Sequence, residues 1–524
     1  MMKKTLALLL ALCMIFSLCA CGSKTEEPSK EPDETQTAAR TDLNVVMGTV
    51  LGTNDVQQNS QINGQLLMWN VYEGLFFVKE DSGELEPRIA ESYDLADDNV
   101  TYTVHLRKGV KFHNGQELTA DDVVYSFERI RNYPAYAANY EKVASVEKVD
   151  DYTVKIVSAI PYVTFMSTIC SIKIVNKADA EKFGEDAGLD LDHTMAGTGP
   201  YYFTEFNPDT SITLAAFEDY YRGPAAIKEV HYKVMTDAST VIAALETGEV
   251  DFASVSTANV PVIESNDDLQ VILNPSTHDS YLKFNWVDNK ALADKRVRQA
   301  ICYAIDKEEI MYGAYDGYGD IAENFAREGL VFGGTTDGVN TYPHDPEKAK
   351  ALLAEAGYAD GLDIGTIWAI GTNYFAKGAQ IIEQQLAEVG ITVKCQLLEQ
   401  KAVENAIFRY EDSWDLAFHG GAMSVDSDNF YNWMFNPTSG TYVGKGSGGK
   451  VIDINARLLE LGEAAKSEFD SAKRAEMYKE FWQIAQDEAY VVSVFHRYNA
   501  YGAAKDLNAV LGVNYYYLYD FSWN

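Results

Sequence analysis

Positive charge is scarce in this sequence of 524 residues. Lys and Arg together number 43 against 78 Asp and Glu, so the formal net charge at pH 7 is −35. A field of this sign repels phosphate backbones, and we therefore expect no nucleic-acid partner. The hydrophobic residues (47%) and charged residues (23%) are in ordinary globular proportion, which argues against a multispan membrane protein.

Cysteine is also scarce, with six residues in the chain. Three fall within the first 21 positions, and the three in the body are Cys170, Cys302 and Cys395. An exported domain held by disulfides usually shows a dense, even set of cysteines, and no CxxC pair occurs here. We predict that these three are small core residues, with a single disulfide among them as the alternative.

Catalytic and cofactor motifs are missing. Neither a Walker A sequence, GxSxG nor HExxH occurs, and the eight His show no metal-ligand spacing. Residues 444–449 match GxGxxG but lie in a Gly- and Ser-rich stretch with no strong strand before it, which predicts a loop. The acidic stretches 186–192 and 426–429 lack the Gly and distal Glu of an EF-hand, so we interpret them as solvated loops, with calcium sites as the alternative. We expect no cofactor, no metal and no enzymatic activity.

The N terminus has the pattern of an export signal. Lys3 and Lys4 precede an apolar run at 6–18, which is too short for a membrane span. The run ends in Leu-Cys-Ala-Cys at 18–21, and a Cys directly after Ala20 resembles the lipobox of bacterial lipoproteins. This predicts a signal peptide at 1–20 and a lipid, such as palmitate, on Cys21. An ordinary secretory signal or an uncleaved anchor is the alternative, and each still exports the chain.

The residues after Cys21 cannot form a core. Positions 23–40 are rich in Glu, Lys, Ser, Thr and Pro and have no aromatic or large aliphatic side chain, which predicts a flexible tether over 21–41. A lipid, a tether and a globular body together predict a protein held at the extracytoplasmic face of a membrane.

Capped helices and alternating strands predict a mixed α/β body. Asp345 and Pro346 begin a helix that ends near Gly357, and Thr119 caps a second helix whose apolar face continues to Ile130. A third helix at 380–389 leads into a strand at 391–398, and alternating apolar residues at 230–234 predict another strand. No internal repeat occurs. Helix and strand in succession favour α/β lobes with sheets covered by helices.

Aromatic residues are abundant, with 33 Tyr, 23 Phe and 7 Trp. Most of them are expected in the core, as at 478–482. Two runs, 68–72 and 368–375, mix aromatic residues with amides, as a ligand groove does. Their candidate contact residues are Trp69, Tyr72, Trp368, Asn373 and Tyr374, and a place in the core is the alternative for each.

A set of segments in fixed order resembles one known family. They include Gly-Val-Lys-Phe-His-Asn-Gly at 109–115, Leu-Thr-Ala-Asp-Asp-Val-Val-Tyr-Ser-Phe at 118–127, Gly-Thr-Gly-Pro-Tyr at 197–201 and Arg-Val-Arg-Gln-Ala-Ile at 296–301. The resemblance continues through 217–252, 281–285 and 345–358. These segments are similar to those of the peptide/nickel-type extracellular solute-binding proteins of ABC importers.

The resemblance implies a periplasmic-binding-protein-like fold with two α/β lobes, a hinge, and an extra subdomain in the first lobe. It places lobe I at 42–62, 196–277 and 489–524, the extra subdomain at 63–195 and lobe II at 278–488. It also implies a monomer that captures a solute between the lobes and delivers it to permease subunits with their ATPases. Membrane lipid would be a further partner, through Cys21.

The cargo is less closely defined by the resemblance. Peptide-binding members have an Asp that pairs with the peptide amine before an Asp-Pro-x-x-Phe segment, and the corresponding position here is Met423. Either Asp426 or Asp428 substitutes for it, or the ligand has no amine there. The backbone around His419, Gly420, Gly421 and Ala422 is expected to pair with the ligand main chain. We expect an oligopeptide-like cargo, with an oligosaccharide or a metal-chelate or opine-like solute as the alternative and an exported hydrolase as a remote one.

Overall fold

The computed structural model describes residues 40–59, 62–79, 82–133, 140–422 and 425–524. At positions 62, 63, 373 and 422 it describes the backbone without the side chain. The predicted lipidation residue Cys21, the tether up to position 39 and Met423 therefore lie outside the described residues.

The strands account for most of the framework around the site. In chain order they are β1 Asp42–Met47, β2 Phe76–Val78, β3 Leu85–Pro87, β4 Ala90–Leu95, β5 Thr101–Leu106, β6 Val143–Asp150, β7 Thr153–Ser158, β8 Tyr201–Asn207, β9 Ser211–Ala216, β10 Glu229–Val234, β11 Phe252–Val255, β12 Leu269–Phe284, β13 Gly319–Ile321, β14 Leu362–Ile370, β15 Ile391–Leu398, β16 Leu416–Ala422, β17 Val491–Ala504, β18 Leu507–Asn508 and β19 Ser522–Trp523.

Helices alternate with these strands. In chain order they are α1 Ile62–Met68, α2 Ala120–Ile130, α3 Phe165–Ile169, α4 Lys177–Phe183, α5 Ala238–Glu246, α6 Val260–Glu264, α7 Lys295–Ala304, α8 Lys307–Tyr315, α9 Pro346–Glu355, α10 Asn373–Glu388, α11 Gln400–Arg409, α12 Ser427–Phe430, α13 Ala456–Lys466 and α14 Ser471–Glu488. Within the described residues, no helix combines the length and the apolar composition needed to cross a membrane.

One large mixed sheet runs through the molecule. Its order is β15-β14-β16-β12-β17-β11-β1-β10-β9-β8, and β13 pairs with β17. The long antiparallel strands β12 and β17 lie at its centre and join its two halves, and their register shifts between Pro275 and Asp279. A β-bulge or another irregularity of pairing therefore lies in the strands that join the two halves.

The fold has three parts, each built on its own portion of sheet. The first lobe holds the sheet half with β1 and β8–β11, and the second lobe holds the half with β14–β16. The subdomain is built on the separate sheet β4-β5-β7-β6, against which α2 packs. Each has its own buried apolar core, and the second lobe adds a further core around α13 and α14. The predicted mixed α/β fold with two lobes is confirmed, while the exact domain bounds given above stay a prediction.

Local capping chemistry explains why several elements lie where the sequence predicts them. The Asp345 carboxylate accepts a hydrogen bond from the backbone of Lys348 at the start of α9, and Thr119 with Asp122 forms a capping box on α2. Strand β15 has the predicted bounds, while α10 begins seven residues before the predicted start at 380. Cys170 and Cys302 are buried, Cys395 is half-buried, and all three are free thiols.

The prediction of a solvated acidic loop at 426–429 is wrong. Residues Ser427–Phe430 form α12, and Asp428 is completely buried. Its carboxylate is satisfied by side chains that are distant in sequence, which the local pattern could not show. The stretch 186–192 is mostly exposed, as predicted.

Candidate ligand-binding cleft

A cavity of about 310 Å³ lies where the subdomain meets the second lobe. Its walls come from the residue after α1, from β2, from α3 with the residues that follow it, and from the beginning of α12. Tyr515, near the C terminus, completes the lining. Sites for small molecules occupy roughly 300–1,000 Å³, so the cavity has the volume of a site for a small solute.

One wall of the cavity is aromatic. The ring of Tyr515 meets Trp69 edge-on, with 5.6 Å between ring centres, and meets Phe77 edge-on at 5.0 Å. Trp69 directly follows α1, and its backbone N–H still donates to Gln65 in the last turn of that helix. These rings give an apolar surface against which apolar peptide side chains or flat ligand groups can pack.

Another part of the lining carries a row of hydroxyl groups on and around α3. Thr164, Ser167, Thr168 and Ser171 line the cavity, and their spacing of three or four residues places them on one helix face. Ser167 and Thr168 each donate to the backbone carbonyl of Thr164 at 2.9 Å. Because these protons are used within the helix, the hydroxyl oxygens can accept hydrogen bonds from a ligand.

Two lysines line the same cavity. Lys142 donates to the Tyr162 hydroxyl at 3.0 Å and lies over that ring. Lys173 is 8% exposed, and its Nζ lies 5.2 Å from the centre of the Trp69 ring. Burial lowers the pKa of Lys173 to about 8, a shift that the charge of Glu73 and the Cys170 thiol partly oppose.

The acidic groups beside the cavity have partners within the protein. Asp426 binds Arg474 through both carboxylate oxygens, at 2.8 and 2.6 Å. Asp428 accepts hydrogen bonds from Tyr162 and Thr164 of the subdomain and from Asn432. Neither carboxylate is therefore available to a ligand amine unless its present partner is displaced.

The candidate residues at the start of the chain separate into a cavity residue and a core residue. Trp69 lines the cavity, whereas Tyr72 is 1% exposed and donates its hydroxyl to the carbonyl of Met195. Trp368 and Tyr374 lie in the core of the second lobe, where Trp368 donates to Thr366.

The second-lobe candidates lie on β16 and α12. His419 is buried against Phe375 with stacked rings, and burial lowers the pKa of this histidine to about 4. Asp426 lines the cavity, while Asp428 lies behind it in the contact with the subdomain. Met423 and the side chains of Asn373 and Ala422 are not among the described groups.

Strand β16 has an open backbone edge next to these residues. It pairs with β12 through Ala422, but its pairing with β14 ends at Phe418. Among the described strands, residues 419–422 therefore have a neighbour on one side alone. An extended ligand can add to such an edge.

A second cavity, of about 360 Å³, lies on the first lobe. It lies at the carboxyl ends of the parallel strands β1, β10 and β11, where ligands commonly bind in α/β sheets. Asn514 and Tyr516 line this second cavity, and Tyr515 between them lines the first. A solute longer than one residue could contact both cavities across this segment.

Several lining residues were not among those chosen from the sequence: the hydroxyl row, Lys142, Lys173 and Tyr515. A signal for the hydroxyl row is present, since Thr-x-x-Ser-Thr-x-x-Ser at 164–171 repeats at helical spacing within an apolar segment. The lysines and Tyr515 give no comparable local signal, because their neighbours in the cavity come from distant parts of the chain. Within the described residues no group of three His, Cys, Asp or Glu side chains is placed to hold a metal ion.

Several known proteins are similar to this chain in sequence. Residues 84–442 match the family described as bacterial extracellular solute-binding proteins, family 5. Heme-binding protein A of Haemophilus influenzae is 29% identical over 81% of each chain. The glutathione-binding protein GsiB of Pectobacterium atrosepticum is 31% identical over 70% of this chain and 71% of its own. The dipeptide-binding protein of Escherichia coli is 30% identical over 81% of this chain and 83% of its own.

The fold also matches solved structures. The ABC transporter substrate-binding protein CtaP of Listeria monocytogenes superposes with a TM-score of 0.81 at 25% identity, covering 93% of this chain and 100% of that one. Sequence and structure agree with the resemblance carried by the motifs between residues 109 and 358. The chain belongs to family 5 of the bacterial extracellular solute-binding proteins, the substrate-binding components of ABC transporters.

Proposed function

We propose that this protein captures a short peptide or a peptide-like solute in the cleft and delivers it to an ABC permease at the extracytoplasmic face of the membrane. The observation that carries the cargo assignment is the composition of the cavity wall. Aromatic rings at Trp69 and Tyr515 and a row of hydroxyl acceptors on and around α3 line the same cavity. A peptide has both apolar side chains and N–H donors, so it can use both walls.

The open edge of β16 supports the same cargo. Main-chain hydrogen bonds from residues 419–422 would hold an extended peptide without reading its side chains. The second cavity, beside Tyr516, would receive a further residue of the same ligand. The names of the relatives fit a cargo of this kind, since two of them bind a dipeptide and glutathione.

An oligosaccharide is less well supported. The abundance of aromatic residues suggested sugar stacking, but Trp368 and Tyr374 belong to the core of the second lobe. Trp69, Phe76, Phe77 and Tyr515 are the described aromatic residues that line the first cavity. The named heme-binding relative keeps a flat, non-peptide solute as the second candidate.

A thermal-shift screen tests the cargo. The full chain is measured with pools of dipeptides and tripeptides, and separately with glutathione, hemin, Ni²⁺–histidine and maltooligosaccharides. We expect the peptide pools to raise the melting temperature, and Trp69→Ala to reduce the affinity for the active peptides by about tenfold or more. The control is Tyr312→Ala, which removes an aromatic ring that is 59% exposed and is not part of the cavity lining. A shift with maltooligosaccharides or hemin alone would contradict a peptide cargo.

The membrane anchor is tested separately. We propose that Cys21 carries the lipid, so Cys21→Ala should move the protein from the membrane fraction to the soluble fraction. Cys19→Ala removes a neighbouring thiol from the same signal and should leave the protein on the membrane. Membrane retention of Cys21→Ala equal to that of the unmodified chain would contradict lipidation at this residue.

Delivery to a permease is tested by uptake. Cells that lack this chain should lose uptake of the bound solute and retain uptake of an unrelated amino acid. Unchanged uptake would contradict the partnership. Turnover of the solute by the purified chain would instead favour an exported hydrolase.

A further inference from the structure

Lys173 differs from the other buried lysines of the described chain. Lys283 and Lys307 donate to backbone carbonyls at 2.8 and 2.7 Å, and Lys466 pairs with Glu463 at 3.1 Å. No hydrogen bond or ion pair joins the Lys173 ammonium to any group in the part of the chain that the structure describes. Its side chain nevertheless lines the cavity and is only 8% exposed.

A buried ammonium without a partner costs free energy. The face of the Trp69 ring, 5.2 Å away, offsets part of this cost through a cation–π contact. The Glu73 carboxylate acts on Lys173 electrostatically, but that carboxylate already accepts hydrogen bonds from Tyr220, Tyr221 and Thr198. The remaining cost falls when an anion enters the cavity.

The surrounding groups limit which anion can bind. The hydroxyl protons of Ser167 and Thr168 are used by the helix backbone, and Arg474 is occupied by Asp426. Lys142 also lines the cavity, but its ammonium already donates to the Tyr162 hydroxyl at 3.0 Å. Of the two lysines in the described lining, Lys173 is therefore the one whose ammonium has no hydrogen-bond partner in the protein. A phosphate or sulfate group prefers several donors, whereas a carboxylate with one oxygen on Lys173 leaves its other oxygen for solvent or for a single further donor.

We propose that the solute of this cleft presents a carboxylate to Lys173, beside the Trp69 ring. This inference rests on the proposed function and defines its substrate class: solutes with a free carboxylate bind, and the matching amides and esters bind weakly. The chain carries a net charge of −35 and repels anions at long range. The preference for a carboxylate therefore has to be local to this lysine.

Matched libraries test the proposal. The full chain is incubated with a tripeptide library that lacks Asp and Glu and has free C-terminal carboxylates, and with the same sequences amidated. Binding is measured by native mass spectrometry and by calorimetry on the sequences retained. We expect the free acids to bind at least tenfold more tightly than the amides.

Variants assign the preference to the lysine. Lys173→Met should abolish the difference between acid and amide, and Lys173→Arg should keep most of it. Lys350→Met, which removes an exposed lysine paired with Glu347, should behave like the unmodified chain. Because Lys173→Met removes a buried charge, its melting temperature should equal or exceed that of the unmodified chain. If the variant does not fold, the comparison of acids with amides on the unmodified chain still decides.

The contradicting results are distinct. Equal affinity for acids and amides, or a preference that survives in Lys173→Met, overturns the carboxylate assignment while leaving peptide binding in place. Competition by inorganic phosphate at lower concentration than acetate overturns the choice of anion. Failure of both libraries to bind contradicts the proposed peptide cargo, and this inference fails with it.

Discussion

Thr164 donates its hydroxyl proton to Asp428 across 3.0 Å, although the two residues are 264 positions apart in the chain. Tyr162 donates to the same carboxylate oxygen. Beside them, the backbone N–H of Val163 donates to the carbonyl of Lys466 at 2.8 Å. Residues 162–164 therefore fasten the subdomain to the second lobe at the rim of the first cavity.

We expect Asp428→Asn to weaken this contact. The amide oxygen can still accept from both hydroxyls, with its NH₂ group turned toward Asn432, but it carries no charge, so both hydrogen bonds become weaker. Hydrogen bonds to charged groups contribute about 1.5–3 kcal/mol, which predicts at least a tenfold loss of solute affinity because closure is part of binding.

Calorimetry and small-angle scattering measure this effect. The radius of gyration of the solute-bound protein should increase in Asp428→Asn and stay unchanged in the control Asp209→Asn, which alters an exposed aspartate of a β-turn. Equal affinity and equal scattering for both variants would contradict a role of this contact in closure.

The Asp426–Arg474 pair should matter for stability chiefly because the loss of one member leaves the other buried without a partner. Arg474→Met leaves Asp426 without its bidentate partner, and breaking a buried pair from one side costs about 3–5 kcal/mol. The double variant Asp426→Asn with Arg474→Met should recover part of that loss, since no unpaired charge remains. Denaturant unfolding of Arg474→Met, Asp426→Asn and the double variant gives the coupling energy, and additive losses would contradict the account.

His113 should make the protein sensitive to acid. Burial lowers the pKa of this histidine to about 4, and its ring accepts from the N–H of Gly197 while the other ring nitrogen bonds the carbonyl of Gly199. The folded state therefore resists protonation. The contribution of the neutral His113 ring to stability is complete above pH 6.5, which is the pKa of histidine in the unfolded chain. This contribution is lost as the pH falls from 6.5 toward 4.

We expect a loss of about 2 kcal/mol from His113 between pH 6.5 and 4, below the full value for such a shift because the ring is partly exposed. His113→Gln can keep both hydrogen bonds without taking up a proton, so unfolding free energy should fall less steeply with acid in this variant. The control Leu189→Ala, which changes an exposed apolar side chain, should keep the original slope. Identical slopes for all three proteins would contradict the assignment.

Solute affinity should fall at alkaline pH if Lys173 receives a carboxylate. Its pKa of about 8 in the free protein would rise on binding, because an anion favours the charged ammonium. Affinity is then constant below pH 8 and falls about tenfold for each pH unit above it, until the pKa of the complex is reached. Calorimetry from pH 6.5 to 10 measures this, and Lys173→Met, with no ammonium to titrate, should show no such fall. A flat profile for the unmodified chain would contradict the proposed contact.

The sequence predicted those parts of the fold that depend on nearby residues. Helix α9 begins where Asp345 caps it, and β10 and β15 follow the alternation of apolar side chains. The order of the segments between residues 109 and 358 also indicated the family, because motifs in a fixed order are readable without a structure.

The cleft was predicted only in part, because its groups come together through distant contacts. Trp69 and Asp426 line the first cavity, and their contact with a ligand stays a prediction; the partner of Asp426 is Arg474, 48 positions later. The run at 368–375 looked like a groove since it combines aromatic residues with an amide, yet Trp368 and Tyr374 pack in the core. Lys173 stands out because its ammonium lies over the Trp69 ring, and no local sequence pattern indicates that contact.

The most direct test of the central claim is native mass spectrometry of the full chain, purified gently from the cells that produce it and released from detergent in the instrument. The account predicts added masses of short peptides or peptide-like solutes that carry a free carboxylate, detected as a mass shift after methyl esterification of the released solute. Added masses spaced by hexose units, or a bound solute that takes up no methyl group, would contradict it.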